Sequence, residues 1–204
     1  MGPEFYRLPR GDWQGDPCVI LGGGPSLPKA LVPKLKCRAR VIAVNDAGLL
    51  LAPWADVLYF SDKQWHEWNR AELGKYKGPL LLSRSPVDDS RVRLIGRTLR
   101  TPLSTKPDIL AGVCGGSNAI NLAFLRGASP IILLGFDMRP GNWHLRHKKP
   151  PRPNAHSHDF IPALKRMAVE LEKTGCRVIN ATPGSALQCF PIMEPERALG
   201  GIID

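Results

Sequence analysis

The five cysteines, Cys18, Cys37, Cys114, Cys176 and Cys189, contain no C-x-x-C pair. That spacing excludes a zinc site built on paired cysteines, and the odd number argues against a disulfide framework. Cys18 and Cys114 lie among apolar or small residues and read as buried thiols rather than nucleophiles. Long apolar runs are missing: none approaches the roughly 18–20 residues of a membrane-crossing helix. MGPEFYRLPRGDW at the N-terminus has no apolar signal core, and Tyr6 breaks the myristoylation pattern that Gly2 would open. A cytoplasmic protein with no membrane span is expected. Acidic residues are in deficit, 18 against 28 basic, which leaves a net charge of +10. Such a surplus suits an anionic partner, whether nucleotide, nucleic acid, phosphorylated sugar or acidic lipid; a solvated basic surface is the plain alternative. No internal repeat and no second hydrophobic block occurs in the 204 residues, 43% of them hydrophobic and 23% charged. Those proportions exclude a disordered or collagen-like chain and suit one globular domain.

Residues 1–16 read as a polar lead-in, and after them short apolar runs alternate with helical patterns. PCVIL, 40–45, 55–61, 78–83, a short run near Val92–Ile95, 130–137 and a last run from Cys176 read as strands. Helices are expected over 26–35 with Ser26 as N-cap, after 62, over 115–126 and over 159–174. Strands alternating with helices predict an α/β, single-domain, Rossmann-like three-layer sandwich with a mainly parallel sheet over 17–204. Ligands of such sheets bind beyond the C-terminal strand ends. Gly22-Gly23-Gly24, Asn45-Asp46, Ser61-Asp62, Asp137 and Asn180 all fall there.

Each motif has a functional reading and a bland one. Gly22-Gly23-Gly24-Pro25-Ser26 lets a phosphate approach the backbone, or is a plain strand-to-helix turn. Asn45-Asp46 and Asp62 offer polar contacts to a ribose or metal, or act as helix caps. Gly115-Gly116-Ser117-Asn118 is a second anion-binding turn, or serves tight helix–sheet packing. Asp137 is a ligand, or a loop anchor. Four of the five histidines, His144, His147, His156 and His158, crowd the basic loop 138–158 with Arg139, Arg146, Lys148, Lys149 and Arg152. They offer a general base and phosphate contacts, or are simply exposed.

Together the blocks ILGGGPSL, VIAVNDA, GGSNAINLAFLRGASPIILLGFDM, the His-rich loop and VINATPGSAL resemble a Rossmann-like superfamily. It joins bacterial lipooligosaccharide sialyltransferases, motility-accessory-factor glycosyltransferases and archaeal hydroxymethyl-dihydropterin diphosphokinases, and small phage and prophage proteins carry the same order of blocks. The resemblance implies that Gly22 to Ser26 and Asn45 hold the nucleotide of a CMP-sugar, and that Gly115 to Asn118 add to the same pocket. It implies a general base at His156. Gly23 stands where the sialyltransferases carry an asparagine. Their tyrosine pair at the leaving phosphate has no match, since no tyrosine follows Tyr76; His144, His147 and Arg146 are the candidate substitutes. The diphosphokinase branch implies instead Asp62 serving Mg²⁺ and ATP.

A nucleotide-dependent transferase is therefore expected, glycosyl transfer from a nucleotide-sugar ahead of Mg-ATP pyrophosphoryl transfer. The acceptor stays open, modified nucleic acid among the candidates, and a homo-oligomer could complete the site. The competing class is a non-enzymatic nucleotide- or nucleic-acid-binding module.

Overall fold

The computed structural model describes residues 4–146 and 152–204. Among the described residues nine strands form: β1 (Cys18–Leu21), β2 (Arg40–Val44), β3 (Val57–Phe60), β4 (Leu80–Ser83), β5 (Val92–Leu94), β6 (Gly96–Thr98), β7 (Ile109–Ala111), β8 (Ile131–Leu134) and β9 (Val178–Asn180). Five α-helices accompany them: α1 (Asp46–Leu50), α2 (Lys63–Asn69), α3 (Gly115–Leu125), α4 (Ile161–Lys173) and α5 (Pro195–Ile203). Seven strands make one sheet in the order β5-β4-β3-β2-β1-β8-β9, every pair parallel. β6 and β7 pair separately, also in parallel.

β1, β3 and β8 are apolar and buried at every position because both faces of the sheet are covered there. Side chains alternate across it. Cys18 and Ile20 of β1, Ile42 of β2, Val57 and Tyr59 of β3 and Leu133 of β8 pack with Ile120 of α3 and Leu164 and Met167 of α4. Their neighbours Val19, Leu21, Val41, Ala43, Ile132 and Leu134 point the other way, onto Leu27, Val32, Leu35 and Leu199 of α5. A third cluster, Leu49, Leu58, Phe60, Trp65, Leu73 and Leu81, covers β3 and β4 towards the β5 edge. The result is the single three-layer α/β domain expected from the alternation.

Chain order positions the site. β1 to β5 step outward on one side; β8 then returns to pair with the other side of β1, Cys18 opposite Ile131 and Leu21 opposite Leu134. The connections diverge between β1 and β8, which opens a crevice at their C-terminal ends.

Three local expectations change. The helix predicted over 26–35 is a turn followed by one 3₁₀ turn, Val32–Leu35; Pro28 and Pro33 lack the N–H groups an α-helix needs. The glycine turn therefore does not open a helix, and Ser26 caps none. The short run near Val92–Ile95 forms β5 as expected, but β6 and β7 follow it where no strand was read. The lead-in is packed against the domain: Trp13 is fully buried with the Arg126 guanidinium 3.7 Å from its ring centre. Tyr6 N–H donates to Leu94 O (2.7 Å) and Leu8 N–H to Pro107 O (2.8 Å).

Candidate functional site

At the crevice the ends of β1 and β8 touch. Gly22 N–H donates to Leu134 O (2.8 Å) and Gly24 N–H to Gly135 O (2.9 Å). A Cβ on Gly22 would lie 2.6 Å from Gly135 O, and one on Gly24 would lie 1.9 Å from Asp137 Oδ2. Glycine is thus required for this close approach. Asp137 Oδ2 accepts from Ser26 Oγ (2.9 Å) and Ser26 N–H (3.4 Å), tying the turn to the end of β8.

Two further elements complete the rim. Asn45, just after β2, has φ 55° and ψ −127°, a conformation that costs a non-glycine residue on the order of 1–3 kcal/mol and is concentrated at functional positions. α3 begins at Gly115-Gly116, where a Cβ would lie 2.9 Å from Val44 Cγ1 and 2.8 Å from the Phe136 ring respectively. The first-turn N–H groups of this 11-residue helix have no intrahelical partner and carry the positive end of the dipole. Ser117 Oγ and Cys114 close the cap on each other: Cys114 N–H donates to Ser117 Oγ (3.1 Å), which donates to Cys114 O (2.9 Å).

These pieces enclose a cavity of about 170 Å³, lined by Gly22, Gly23, Gly24, Asn45, Cys114, Gly115, Gly116, Phe136, Asp137, Arg139, Asn142 and His156 among others. A second cavity of about 970 Å³ shares Asn45, Cys114, Gly115, Asn142, His156 and Phe160 with it and extends over Ser61, Asp62, Trp65, Arg84, Arg152 and Asp159. His156 therefore stands at the junction. It lies half-buried in a π-helical turn, His156–Phe160, that leads into α4, its ring edge-on to Phe160 at 5.3 Å. Burial holds its pKa below the ordinary value, so the imidazole is neutral and able to accept a proton near pH 7. The loop after β8 folds back over the glycine turn: Trp143 N–H donates to Gly23 O (3.2 Å), and Asn142 Oδ1 would be 3.1 Å from a Cβ on Gly23.

Of the residues singled out in the sequence, Gly22, Gly23, Gly24, Asn45, Gly115, Gly116, Asp137 and His156 meet at the smaller cavity, and Asp62 lines the larger one. Others are engaged elsewhere. Pro25 and Ser26 are exposed beside the glycine turn, outside the lining. Ser117 is held by its cap. Asn118 is fully buried, with Oδ1 accepting from the Tyr59 hydroxyl (3.1 Å) and Nδ2 donating to Ala111 O (2.9 Å). Asp46 turns away from the cavity, takes the Trp65 indole N–H (2.9 Å) and has His144 Nε2 at 3.8 Å and Arg146 Nε at 4.0 Å. Arg146 pairs with Glu72, Nη1 to Oε2 at 3.1 Å. His144 and Arg146 thus line neither cavity. His147, Lys148 and Lys149 lie outside the described residues. Cys114, read as a buried thiol, lines both cavities; burial does push the Cys18 thiol up.

Sequence reasoning missed Asn142, Phe136 and Phe160, and also Arg84. Only the return of β8 beside β1 brings the first three together, and no local pattern signals that. Two carboxylates, Asp62 and Asp159, line the larger cavity, and Asp159 is paired with Arg152. No three His, Cys, Asp or Glu side chains converge among the described residues. That donor set does not fit a resident metal ion.

Neither a family model nor a curated protein sequence matches the chain. Solved structures do. The sialyltransferase CstII from Campylobacter jejuni, in complex with a substrate analogue, cytidine-5'-monophosphate, superposes with a TM-score of 0.55 at 14% identity, covering 89% of this chain and 86% of that one. The sialyltransferase CST-II in complex with a trisaccharide acceptor and CMP gives 0.51 at 15% identity, covering 86% and 84%. The chain thus shares the Rossmann-like fold of these structures. No helix among the described residues is long and apolar enough to cross a membrane.

Proposed function

We propose that the protein is a glycosyltransferase that takes a nucleotide-activated sugar, a CMP-sugar first, and hands the sugar to an acceptor hydroxyl with His156 as general base. The observation that carries this reading is the position of His156 on the wall shared by two adjoining cavities. The smaller one suits a phosphate: glycines at its floor, the N-terminus of α3 at its side and Arg139 on its rim. The larger one has room for a sugar and its acceptor.

In the reaction the acceptor O–H gives its proton to the neutral imidazole as its oxygen attacks the anomeric carbon. The bond from that carbon to the phosphate oxygen breaks, and the electron pair leaves with the nucleoside monophosphate. Charge growing on the phosphate meets the free N–H groups at Gly115 and Gly116 and the Arg139 guanidinium. Asn142, lying over Gly23, offers an amide where the sialyltransferases that this chain resembles carry an asparagine. That the fold neighbours were solved with CMP and with a trisaccharide acceptor supports a nucleotide donor and a sugar acceptor as the two ligands.

The test has two stages. Melting curves with CMP, CDP, CTP, UDP, GDP, ADP and ATP, with and without Mg²⁺, identify the nucleotide by the rise in melting temperature. Stabilisation by cytidine nucleotides without metal is expected. Stabilisation by ATP only with Mg²⁺ would move the reading to pyrophosphoryl transfer and make Asp62 the residue of interest; no shift with any nucleotide would remove both. With a CMP-sugar in hand, His156→Ala should lower CMP release by about 10²–10⁴-fold.

A further inference from the structure

The sheet has a cleft at its other end as well. Pro17, Ala39 and Asp56 lead into β1, β2 and β3, and beneath these N-terminal strand ends opens a cavity of about 420 Å³, lined by Asp16, Lys36, Arg38, Arg40, Trp54 and Asp56 among others. Small-molecule sites run to roughly 300–1,000 Å³, so its size fits one. None of its residues lines either cavity of the candidate site. β1 has four residues and β2 five; at ~3.3 Å per residue the two ends lie on the order of 15 Å apart.

Part of this cleft is already neutralised. Arg40 Nε donates to Asp16 Oδ2 (2.9 Å), its Nη1 lies 3.6 Å from Asp56 Oδ1, and Asp56 Oδ2 also accepts from Val41 N–H (2.8 Å). Carboxylates so engaged offer little to a cation. The remaining polar groups are donors. Lys36 is exposed and among the described residues has neither an ion-pair nor a hydrogen-bond partner. Arg38 is tied through Nη1 to Asp204 O (2.7 Å) and Ile202 O (3.5 Å) at the end of α5, which fixes the guanidinium while its Nε and Nη2 stay unengaged. Trp54 adds a half-buried indole that packs on the second core layer, and its N–H has no partner among the described residues. A flat indole suits a ring. A held guanidinium and an ammonium are the donors that phosphates and carboxylates take.

We infer that the cleft beneath the N-terminal ends of β1, β2 and β3 is a second small-molecule site, which takes an aromatic ring bearing a phosphate or carboxylate. The ring lies on Trp54, and its oxyanion is held by Lys36 and Arg38. This site stands apart from the proposed transferase centre and does not depend on the reading given to that centre.

The test alkylates the whole chain with limiting iodoacetamide and follows each thiol by peptide mass spectrometry. Cys37 is exposed and lines this cleft, whereas Cys114 lines the two cavities of the candidate site, so each site has its own reporter. The probes, at millimolar concentration, are 5'-AMP against adenosine and indole-3-acetate against indole, with CMP run alongside. At least one ring anion should slow Cys37 about five-fold and bind about ten-fold more tightly than its neutral counterpart; which one does so distinguishes a phosphate from a carboxylate ligand. Lys36→Gln and Arg38→Gln, each compared with and without probe, should lose most of that protection, while the response of Cys114 to CMP stays within about two-fold of the parent. Trp54→Leu should weaken it, and Trp54→Phe, which keeps a ring, should retain most of it and guards against a folding defect. No slowing of Cys37 by either anion, equal slowing by anion and neutral probe, or slowing that survives Lys36→Gln and Arg38→Gln combined would overturn the inference. CMP slowing Cys114 in such a chain would leave the proposed function standing. Protection of Cys37 in a chain whose Cys114 ignores CMP would do the reverse.

Discussion

Asp46 Oδ2 accepts the indole N–H of Trp65 at 2.9 Å, and both side chains are buried. The bond joins the residue next to Asn45 to a wall of the larger cavity. Asp46 also faces His144 and Arg146 of the loop that covers the glycine turn. One carboxylate thus holds three parts of the site in register: the strained end of β2, the Trp65 wall and the covering loop.

Asp46→Ala leaves the Trp65 N–H buried without a partner, an omission that costs about 1–3 kcal/mol. Chemical denaturation should show that loss. Asp46→Asn keeps an acceptor for the indole and should lose less. If Asn and Ala are equally destabilised, the charge facing His144 and Arg146 matters more than the hydrogen bond to Trp65.

The glycines separate by position. Gly24→Ala places a methyl 1.9 Å from Asp137 Oδ2 and 2.6 Å from the Gly135 carbonyl. Backbone cannot yield cheaply, so a loss of about 1–3 kcal/mol and of nucleotide-induced stabilisation is expected. Gly74, in the 3₁₀ turn Leu73–Lys75, has nothing within 4 Å of its Cβ position. Gly74→Ala should be neutral or stabilising by ~0.4–1 kcal/mol. Thermal melts of the two variants, with and without CMP, decide the matter; equal effects would mean the crevice is looser than its contacts imply.

These contrasts also mark what could be read in the sequence. The parallel sheet was legible because β1, β2, β3, β4 and β8 are continuous apolar runs that only a doubly covered sheet accommodates. Polar residues at their C-terminal ends located the crevice. Which of those residues face it was not legible. Asn45 and Asp46 are adjacent, yet the positive φ of Asn45 sends one to the cavity and the other into the core. Ser117 and Asn118 sit one turn from Gly115 but point at the backbone of 111–114. The loop that carries His144 and Arg146 was expected to bring both to the phosphate, and Glu72 and Asp46, distant in sequence, draw them away.

α3 shows the same limit and gives a stability test. It reads as apolar nearly all round, but two buried asparagines interrupt it. Asn121 Oδ1 accepts from Ser104 N–H (3.1 Å) and Ala111 N–H (2.6 Å), and its Nδ2 donates to Ser104 O (2.9 Å). The residue pins the irregular chain between β6 and β7 to the helix. Asn121→Leu would strand three backbone groups away from water, and a loss of more than about 2 kcal/mol is expected from two or more unmet hydrogen bonds. Amide exchange at Ser104 and Ala111 should accelerate in the variant; unchanged protection there would mean that water takes over the role.

The pH dependence follows from His156. Its pKa is lowered by burial, from an ordinary value of 6.5. The base form therefore persists to more acid pH than for a free histidine. The acid limb of kcat/KM should rise with pH through an inflection below 6.5 and then flatten. Stability runs in the same direction. Below 6.5 the unfolded chain takes up a proton that the folded chain refuses, so unfolding becomes easier as pH falls from the unfolded pKa to the folded one. Above 6.5 both states are neutral at this site and the contribution is constant. His156→Gln should remove both effects: the acid limb disappears with the residual activity, and the difference in melting temperature between parent and variant changes only across that window. An inflection at or above 6.5 in the parent would place a carboxylate or phosphate beside the imidazole, in opposition to the lowering by burial.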